Sequence, residues 1–354
     1  MILVINPGSS SLKYKLFLDN MVQKSGDFEI GKNGFTKNFE EGVEKLLEEV
    51  SQFFSQIEKI GIRVVHGGSK FSLPTLVTDE VISCIEEHIE LAPLHNPPAL
   101  SVIKKLLDEK KETPLYAIFD TAFFINLPPE SNTYAIDQTI AEKYQIKRYG
   151  FHGISHKYAS EKADPYQKLR IVVIHLGAGA SISAVESGRP VATSMGMTPL
   201  EGLVMQTRCG DIDAGVVLLL AKEIGISGTR EMLEKHSGLS GLTDTDGSMV
   251  RMLQLAGEKV EGVETLKENE QTDPKDKREV KLALKIYINQ IVKYIGAYAA
   301  LMEGVDKIVF TGKIGFKSPV IREMVMKKLE FLCKDIEVVE PDEELAIAEE
   351  LTKL

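Results

Sequence analysis

A strand, a tip of small residues and a second strand occur twice in this chain, at residues 2–18 and again at 170–193. The first copy reads ILVIN, then PGSSS, then LKYKLFL, which alternates like a half-buried strand. The second reads RIVVIHLGAGASISAVESGRPVAT: a strand, a Gly/Ser tip, a strand, a glycine turn and a further strand. An internal repeat constrains a fold strongly, because each copy is a supersecondary unit that has to be packed in its own right. Asn6 and His175 stand at equivalent places, at the end of the first strand of each copy. Around these units, helical spacing at 39–56, 79–92 and 99–110 alternates with apolar strands at 60–66 and 114–120, which predicts an α/β sheet. With 354 residues to divide, the pattern predicts two duplicated lobes with a cleft between them: 1–149 plus 344–354, and 150–343.

Charge and cysteine usage narrow the function classes. Asp plus Glu number 52 against 42 Lys plus Arg, a net charge of −10, and no basic stripe is present, so a nucleic-acid partner is not expected. An acidic chain can still hold a phosphate with a few placed arginines. No apolar run approaches the ~20 residues of a membrane span, and the N-terminus lacks the basic region and apolar core of a signal peptide. Cys84, Cys209 and Cys333 form no C-x-x-C pair, so a reducing cytoplasm is the expected setting. Residues 257–279 are charge-rich and read as a solvated loop or frayed helix. Residues 281–303 read as a long helix that is either core or a dimer face.

Three small-residue loops follow apolar strands: Pro7–Ser11, Gly177–Ser181 and Thr311–Ser318. Glycines such as Gly177, Gly179, Gly312 and Gly315 let backbone N–H groups approach phosphate oxygens, and serines add donors. None of the loops matches G-x-x-x-x-G-K-[ST] or a G-x-G-x-x-G that opens a helix. Arg63 lies inside a strand that runs into HGG, and Arg208 lies in QTRCGD. A charge in an apolar strand has to be paired or face a cleft, and either arginine could simply sit in a buried ion pair. Asp120 ends the strand AIFD, where α/β sheets place ligands, or caps the next turn. His152 and His156, in GFHGISH, are four apart, but the glycines disfavour a helix there and no third ligand is near, which argues against zinc. His66, His95 and His175 adjoin glycines or prolines at strand ends and read individually as structural. There is no G-x-S-x-G elbow. The residues describe a two-lobed, phosphate-binding α/β protein.

The segments VINPGSSSLKYKLF, RVVHGG, LAPLHNPPAL, FDTAFF, RYGFHGISHKY, HLGAGAS, TSMGMTPLEGLVMQTRCGDID and KYIGAYAALMEGVDKIVFTG, in this order along almost the whole chain, resemble the acetate kinase family. The resemblance implies the duplicated fold of sugar kinases, Hsc70-type chaperones and actin. It also implies a cytoplasmic homodimer that uses Mg²⁺ to transfer a phosphoryl group reversibly between ATP and a short-chain carboxylate. By motif, Asn6 would contact the phosphates or the Mg²⁺ shell, and Glu343, in PDEEL, would be the magnesium-linked acid. Ser9, Ser11 and Lys13 would complete the first loop, and His175 would face the phosphates from the second. Arg63 would hold the substrate carboxylate, Arg208 would stabilise the transferring phosphoryl group, His152 would donate to it, and Asp120 would orient the arginines or the substrate. Val65, Leu94, Phe151 and Pro199 would line the pocket for the alkyl tail.

The chain departs from the family pattern on the nucleotide side. HLGAGAS has Ala178 where the family has asparagine, and TGKIGFKSP has Lys313, Phe316 and Lys317 where the family has glycine, an acid and asparagine. The chain is also shorter between residues 24 and 60 and after GFHGISH, and carries an insertion near 258–272. Acetate is the expected acceptor. The alternatives are propionate, an altered donor such as pyrophosphate, or a non-catalytic relative that binds a ligand through the same residues.

Overall fold

The computed structural model describes residues 1–8, 11–30, 35–109, 112–243, 245–260, 262 and 274–354, with the side chains of 35–38 and 274–276 left aside. The chain divides into two compact units: Met1–Asn126 with Tyr149–Tyr158 and Asp342–Leu354, and Leu127–Arg148 with Ala159–Pro341. The sequence-based division set its boundary at 149/150. Here 127–148 packs with the second unit and 149–158 with the first.

The first unit is built on a sheet of strands β1 (Ile2–Pro7), β2 (Ser11–Leu18), β3 (Met21–Glu29), β4 (Lys59–Val64), β5 (Thr75–Leu76) and β6 (Leu115–Phe119), in the order β3-β2-β1-β4-β6-β5. β1 is antiparallel to β2 and parallel to β4, and β4 is parallel to β6. Alternation along the strands gives each face its own core. Leu3, Ile5, Leu12, Leu16, Ile60, Ile62 and Phe119 pack with Val43, Leu46, Val102 and Ile103 from the helices Phe35–Val50 and Asn96–Glu109. Val4, Phe17 and Ile118 pack on the other face with Ile347, Ala348 and Leu351 of the C-terminal helix Glu343–Thr352.

The second unit repeats the plan. Its strands are β7 (Arg170–Leu176), β8 (Ala180–Glu186), β9 (Arg189–Thr193), β10 (Lys307–Thr311) and β11 (Ile336–Val338), in the order β11-β10-β7-β8-β9. β7 is antiparallel to β8 and parallel to β10, as β1 is to β2 and β4. The predicted repeat is thus a repeat of sheet topology, with β1-β2-β3-β4-β6 answered by β7-β8-β9-β10-β11. The long helix Pro274–Leu301 packs on β7 and β8 and buries Ile288, Ile291 and Ile295.

Two local expectations are corrected. Thr311–Ser318 is not an open loop: Gly312–Lys317 forms a short helix, and the Arg322 guanidinium donates to the carbonyls of Gly315 (2.7 Å) and Phe316 (2.6 Å) near its C-terminal end. GFHGISH does enter a helix, Gly153–Ala163, whose first glycine is required by a tight contact described below. The 258–272 insertion lies almost wholly outside the described residues. No helix among the described residues is long and apolar enough to cross a membrane.

Gly61 in β4 sets how closely the C-terminal helix approaches. A Cβ at Gly61 would lie 2.7 Å from Leu351 Cδ1 and 2.8 Å from Ile347 Cγ2. Gly61→Val should therefore cost about 1–3 kcal/mol through overpacking. Urea unfolding measures this, and a cost near zero would mean that the helix is not seated as described.

Candidate functional site

The first unit gathers its polar residues at one end of one sheet face. Asn6 follows Val4 in β1, Arg63 follows Gly61 in β4, and Asp120 follows Ile118 just beyond β6, so all three share the face covered by the C-terminal helix. They stand at the carboxyl ends of adjacent parallel strands. Arg63 donates to both oxygens of Asp120, Nε to Oδ1 at 3.2 Å and Nη2 to Oδ2 at 2.7 Å. Its Nη1 reaches Glu343 Oε2 at 2.7 Å and Asn6 Oδ1 at 3.2 Å. The Asn6 amide donates to Glu343 (3.1 Å) and to Glu344 (2.8 Å). Burial works against the Arg63 charge, but Asp120 and Glu343 outweigh it and hold the guanidinium's pKa above its ordinary value. Burial also pushes the Asp120 carboxyl up, with Arg63 pulling against it.

His152 is tied to Asp120 through the backbone. Its N–H donates to the Asp120 carboxylate, and Gly153 N donates to the Asp120 carbonyl at 2.9 Å. A Cβ at Gly153 would lie 2.1 Å from that carbonyl oxygen, so only glycine permits the contact. His152 has φ +57°, a conformation that costs a non-glycine residue about 1–3 kcal/mol and is held by these bonds. His156, one turn on, is fully buried against Phe124.

Val65, Leu94 and Phe151 meet around His66. Asn96 accepts from His66 N (3.1 Å) and donates to His66 O (3.0 Å), which docks the 94–96 segment on 65–66. The Phe151 ring lies 5.3 Å from the His66 ring. Lys13, in register with Asn6, is half exposed and faces Asp27 at 3.8 Å. Ser11 opens β2 and its carbonyl accepts from Gly8 N at 2.7 Å. Ser9 lies outside the described residues.

The second unit holds the other candidates. In the sheet, His175 on β7 is in register with Ser181 on β8 and Thr311 on β10. The tip carrying Gly177 and Gly179 and the start of the helix carrying Gly312 and Gly315 therefore adjoin. The Thr311 hydroxyl is buried without a hydrogen-bond partner among the described residues. The Arg208 segment reaches this tip, since Gln206 N donates to the Ala178 carbonyl at 3.2 Å. Among the described residues Arg208 itself donates to Pro199 O (3.3 Å) and, weakly, to Met205 Sδ (3.8 Å), and burial lowers its pKa. A clamp fixes its loop: Arg148 and Tyr134 bind Glu201, and Tyr294 and Gln290 bind Asp211. Lys313 and Lys317 are exposed and make no ion pair among the described residues.

Sequence reasoning missed Lys15, Asp342 and Glu344. Lys15 Nζ meets Asp342 at 2.7 Å and Glu344 at 3.6 Å. The signal was the acidic run that opens the last helix, read there as a single acid. In this cluster four carboxylates (Asp120, Asp342, Glu343 and Glu344) face two cations (Arg63 and Lys15). The excess negative charge suits a divalent cation. No group of three or more His, Cys, Asp or Glu among the described residues is arranged to hold a bare metal ion. Magnesium fits such a set because it keeps most of its waters and takes one or two carboxylates plus substrate phosphates.

Asp120→Ala would leave the Arg63 guanidinium with only Glu343 as an ion-pair partner and Asn6 as a neutral acceptor among the described residues, and would strip His152 N–H of its carboxylate acceptor. Breaking a buried pair typically costs about 3–5 kcal/mol. Chemical denaturation should show a loss of that size; less than about 1 kcal/mol would contradict the geometry.

Residues 19–347 match the model of the acetokinase family. Acetate kinase from Thermosipho melanesiensis is 41% identical, the match covering 92% of this chain and 84% of that one. The crystal structure of Porphyromonas gingivalis acetate kinase superposes with a TM-score of 0.84 at 32% identity, covering 99% of this chain and 98% of that one. A propionate kinase from Francisella tularensis superposes with a TM-score of 0.85 at 33% identity, with the same coverage.

Proposed function

The chain belongs to the acetokinase family, and we propose that it transfers a phosphoryl group reversibly between ATP and acetate, forming acetyl phosphate and ADP. One observation carries the reading furthest. Arg208 is largely withdrawn from water, its hydrogen-bond partners among the described residues are a carbonyl and a thioether sulfur, Glu234 attracts it only through space, and a clamped loop presents it. A partly buried cation so weakly paired is stabilised by an anion, and a transferring phosphoryl group is one.

Acetate, with a carboxyl pKa of about 4–5, is already ionised at neutral pH, so the reaction needs no base to make the nucleophile. An acetate oxygen attacks the γ-phosphorus; that P–O bond forms as the bond to the β,γ-bridging oxygen breaks, and the electron pair leaves with ADP. The obstacle is the approach of one anion to another, so catalysis rests on positioning and electrostatic stabilisation. Arg208 takes the charge of the transferring group, and His152 donates to it. Arg63, oriented by Asp120, holds the acetate carboxylate. Val65, Leu94 and Phe151 are assigned to its methyl group, with Pro199 given the same part by motif. Ser11, Lys13, His175 and the backbone at Gly177, Gly179, Gly312 and Gly315 bind the donor's phosphates, with Ser9 assigned the same part by motif. Asn6 and Glu343 would hold a hydrated Mg²⁺, which when bound neutralises phosphate charge.

Propionate is the second acceptor, favoured by the likeness to the Francisella tularensis propionate kinase. One extra methylene in an apolar pocket is worth only about 1–3 kcal/mol. The three cysteines are free thiols, in keeping with a cytoplasmic setting. A homodimer is supported by the helical segment Ala214–Lys235, which breaks at Gly225 (φ +76°): before the break Leu218 is 72% exposed beside exposed Val216, Leu219 and Ile224, and just after it Ile226 is 78% exposed. Leu218→Glu should shift the light-scattering mass of the purified protein from dimer to monomer; an unchanged mass would remove this face from the interface.

The test of the function is turnover. Arg63→Ala and Arg208→Ala should each lower kcat for acetyl phosphate formation by about a hundredfold or more, the effect of losing one charged donor at a transition state. A hydroxamate assay over acetate, propionate and butyrate reads both rate and chain length. Near-normal turnover in either folded variant, or a preference for butyrate, would overturn the corresponding assignment.

A further inference from the structure

The acids at the head of the C-terminal helix are consecutive, yet they do different things. Asp342 Oδ1 accepts from Leu345 N at 2.8 Å and so caps the helix. Its Oδ2 accepts from Lys15 Nζ at 2.7 Å. Glu344 meets Asn6 through Oε1 at 2.8 Å and Lys15 through Oε2 at 3.6 Å. Of the three, Glu343 is the acid that meets Arg63, at 2.7 Å. Lys15 comes from β2, on the same sheet face as Lys13 and Phe17, and so points at the end of the sheet where Asn6 and Arg63 lie. Burial disfavours its charge, but Asp342 and then Glu344 more than compensate, and its pKa is raised.

We propose that Lys15 is a positioning residue: by engaging Asp342 and Glu344 it leaves Glu343 to the catalytic cluster and limits how tightly that cluster binds a divalent cation. Three adjacent carboxylates at a helix start are favoured by the helix dipole but repel one another. Without Lys15 the cluster would set four carboxylates against Arg63 alone. A released Asp342 or Glu344 then competes with Glu343 for Arg63 and Asn6. The acid excess grows by one charge, which strengthens cation binding and misplaces it. This rests on the proposed kinase function, but Lys15 touches neither acetate nor nucleotide in that reading.

The experiment uses the full chain with Lys15→Met, Lys15→Gln and Lys15→Arg. Binding of manganese(II) alone, read by electron paramagnetic resonance, needs no turnover. Lys15→Met and Lys15→Gln should bind it ~3- to 10-fold more tightly than wild type, as expected for one charge removed at short range in a partly buried site. Lys15→Arg should match wild type. In acetyl phosphate formation the Met and Gln variants should lose about tenfold or more in kcat, with the KM for acetate within about twofold, consistent with a role in positioning rather than in binding acetate. Lys15→Gln keeps a hydrogen-bond donor of similar length and guards against a misfolded methionine variant. Manganese affinity unchanged in a folded Gln variant would overturn the proposal, as would a kcat equal to wild type. A wild-type enzyme inactive on acetate that still shows the manganese shift would overturn the proposed function and support the role of Lys15.

Discussion

The ion cluster around Arg63 is the interaction on which the first unit depends. A guanidinium at the end of an interior strand is tolerable only if it is paired, and its partners come from distant parts of the chain: Asp120 from the end of β6 and Glu343 from the head of the C-terminal helix. That requirement brings the last residues of the chain back to the first sheet. Gly61 clears the way by leaving no side chain beneath Ile347 and Leu351. The same cluster holds His152 in its unusual conformation, because Asp120 uses both its carboxylate and its carbonyl to bind the 152–153 backbone.

The two key arginines sit in opposite electrostatic circumstances. Arg63 is paired by carboxylates and keeps its charge at the cost of being occupied. Arg208 is desolvated and poorly paired, which depresses its pKa. The first suits a residue that orients and holds a substrate within a fixed network. The second suits one that meets a charge arriving with the substrate. Each follows from its local fold: Arg63 lies on a strand flanked by two others, and Arg208 lies in a loop braced through Glu201 and Asp211.

Much of this was legible in the sequence, because the repeat is a backbone pattern. Alternating apolar residues around Pro7–Ser11 and Gly177–Ser181 specify hairpins whatever surrounds them, and both hairpins occupy the same place in their sheets. Arg63, Asp120 and Asn6 were visible as polar residues at the ends of apolar strands, and their adjacency follows from strand order. The acidic head of the last helix was less legible: Asp342, Glu343 and Glu344 are chemically alike in sequence, and only Lys15, more than 300 residues away, sorts them. Gly153 misled in the opposite direction. Glycine disfavours helices on average, yet here it opens one because no larger residue fits beside the Asp120 carbonyl. The short helix at Gly312–Lys317 escaped for a related reason, since its carbonyls are satisfied by Arg322 from the following helix.

Together, on this reading, these residues carry phosphoryl transfer to a carboxylate. Phosphorus-31 NMR of the wild-type protein with ATP, acetate and magnesium tests it in one measurement. The γ-phosphate resonance of ATP should decline while acetyl phosphate and ADP appear together, and the conversion should stop when the cation is chelated. ATP that persists unchanged beside acetate, or that yields inorganic phosphate with no acetyl phosphate, would contradict it.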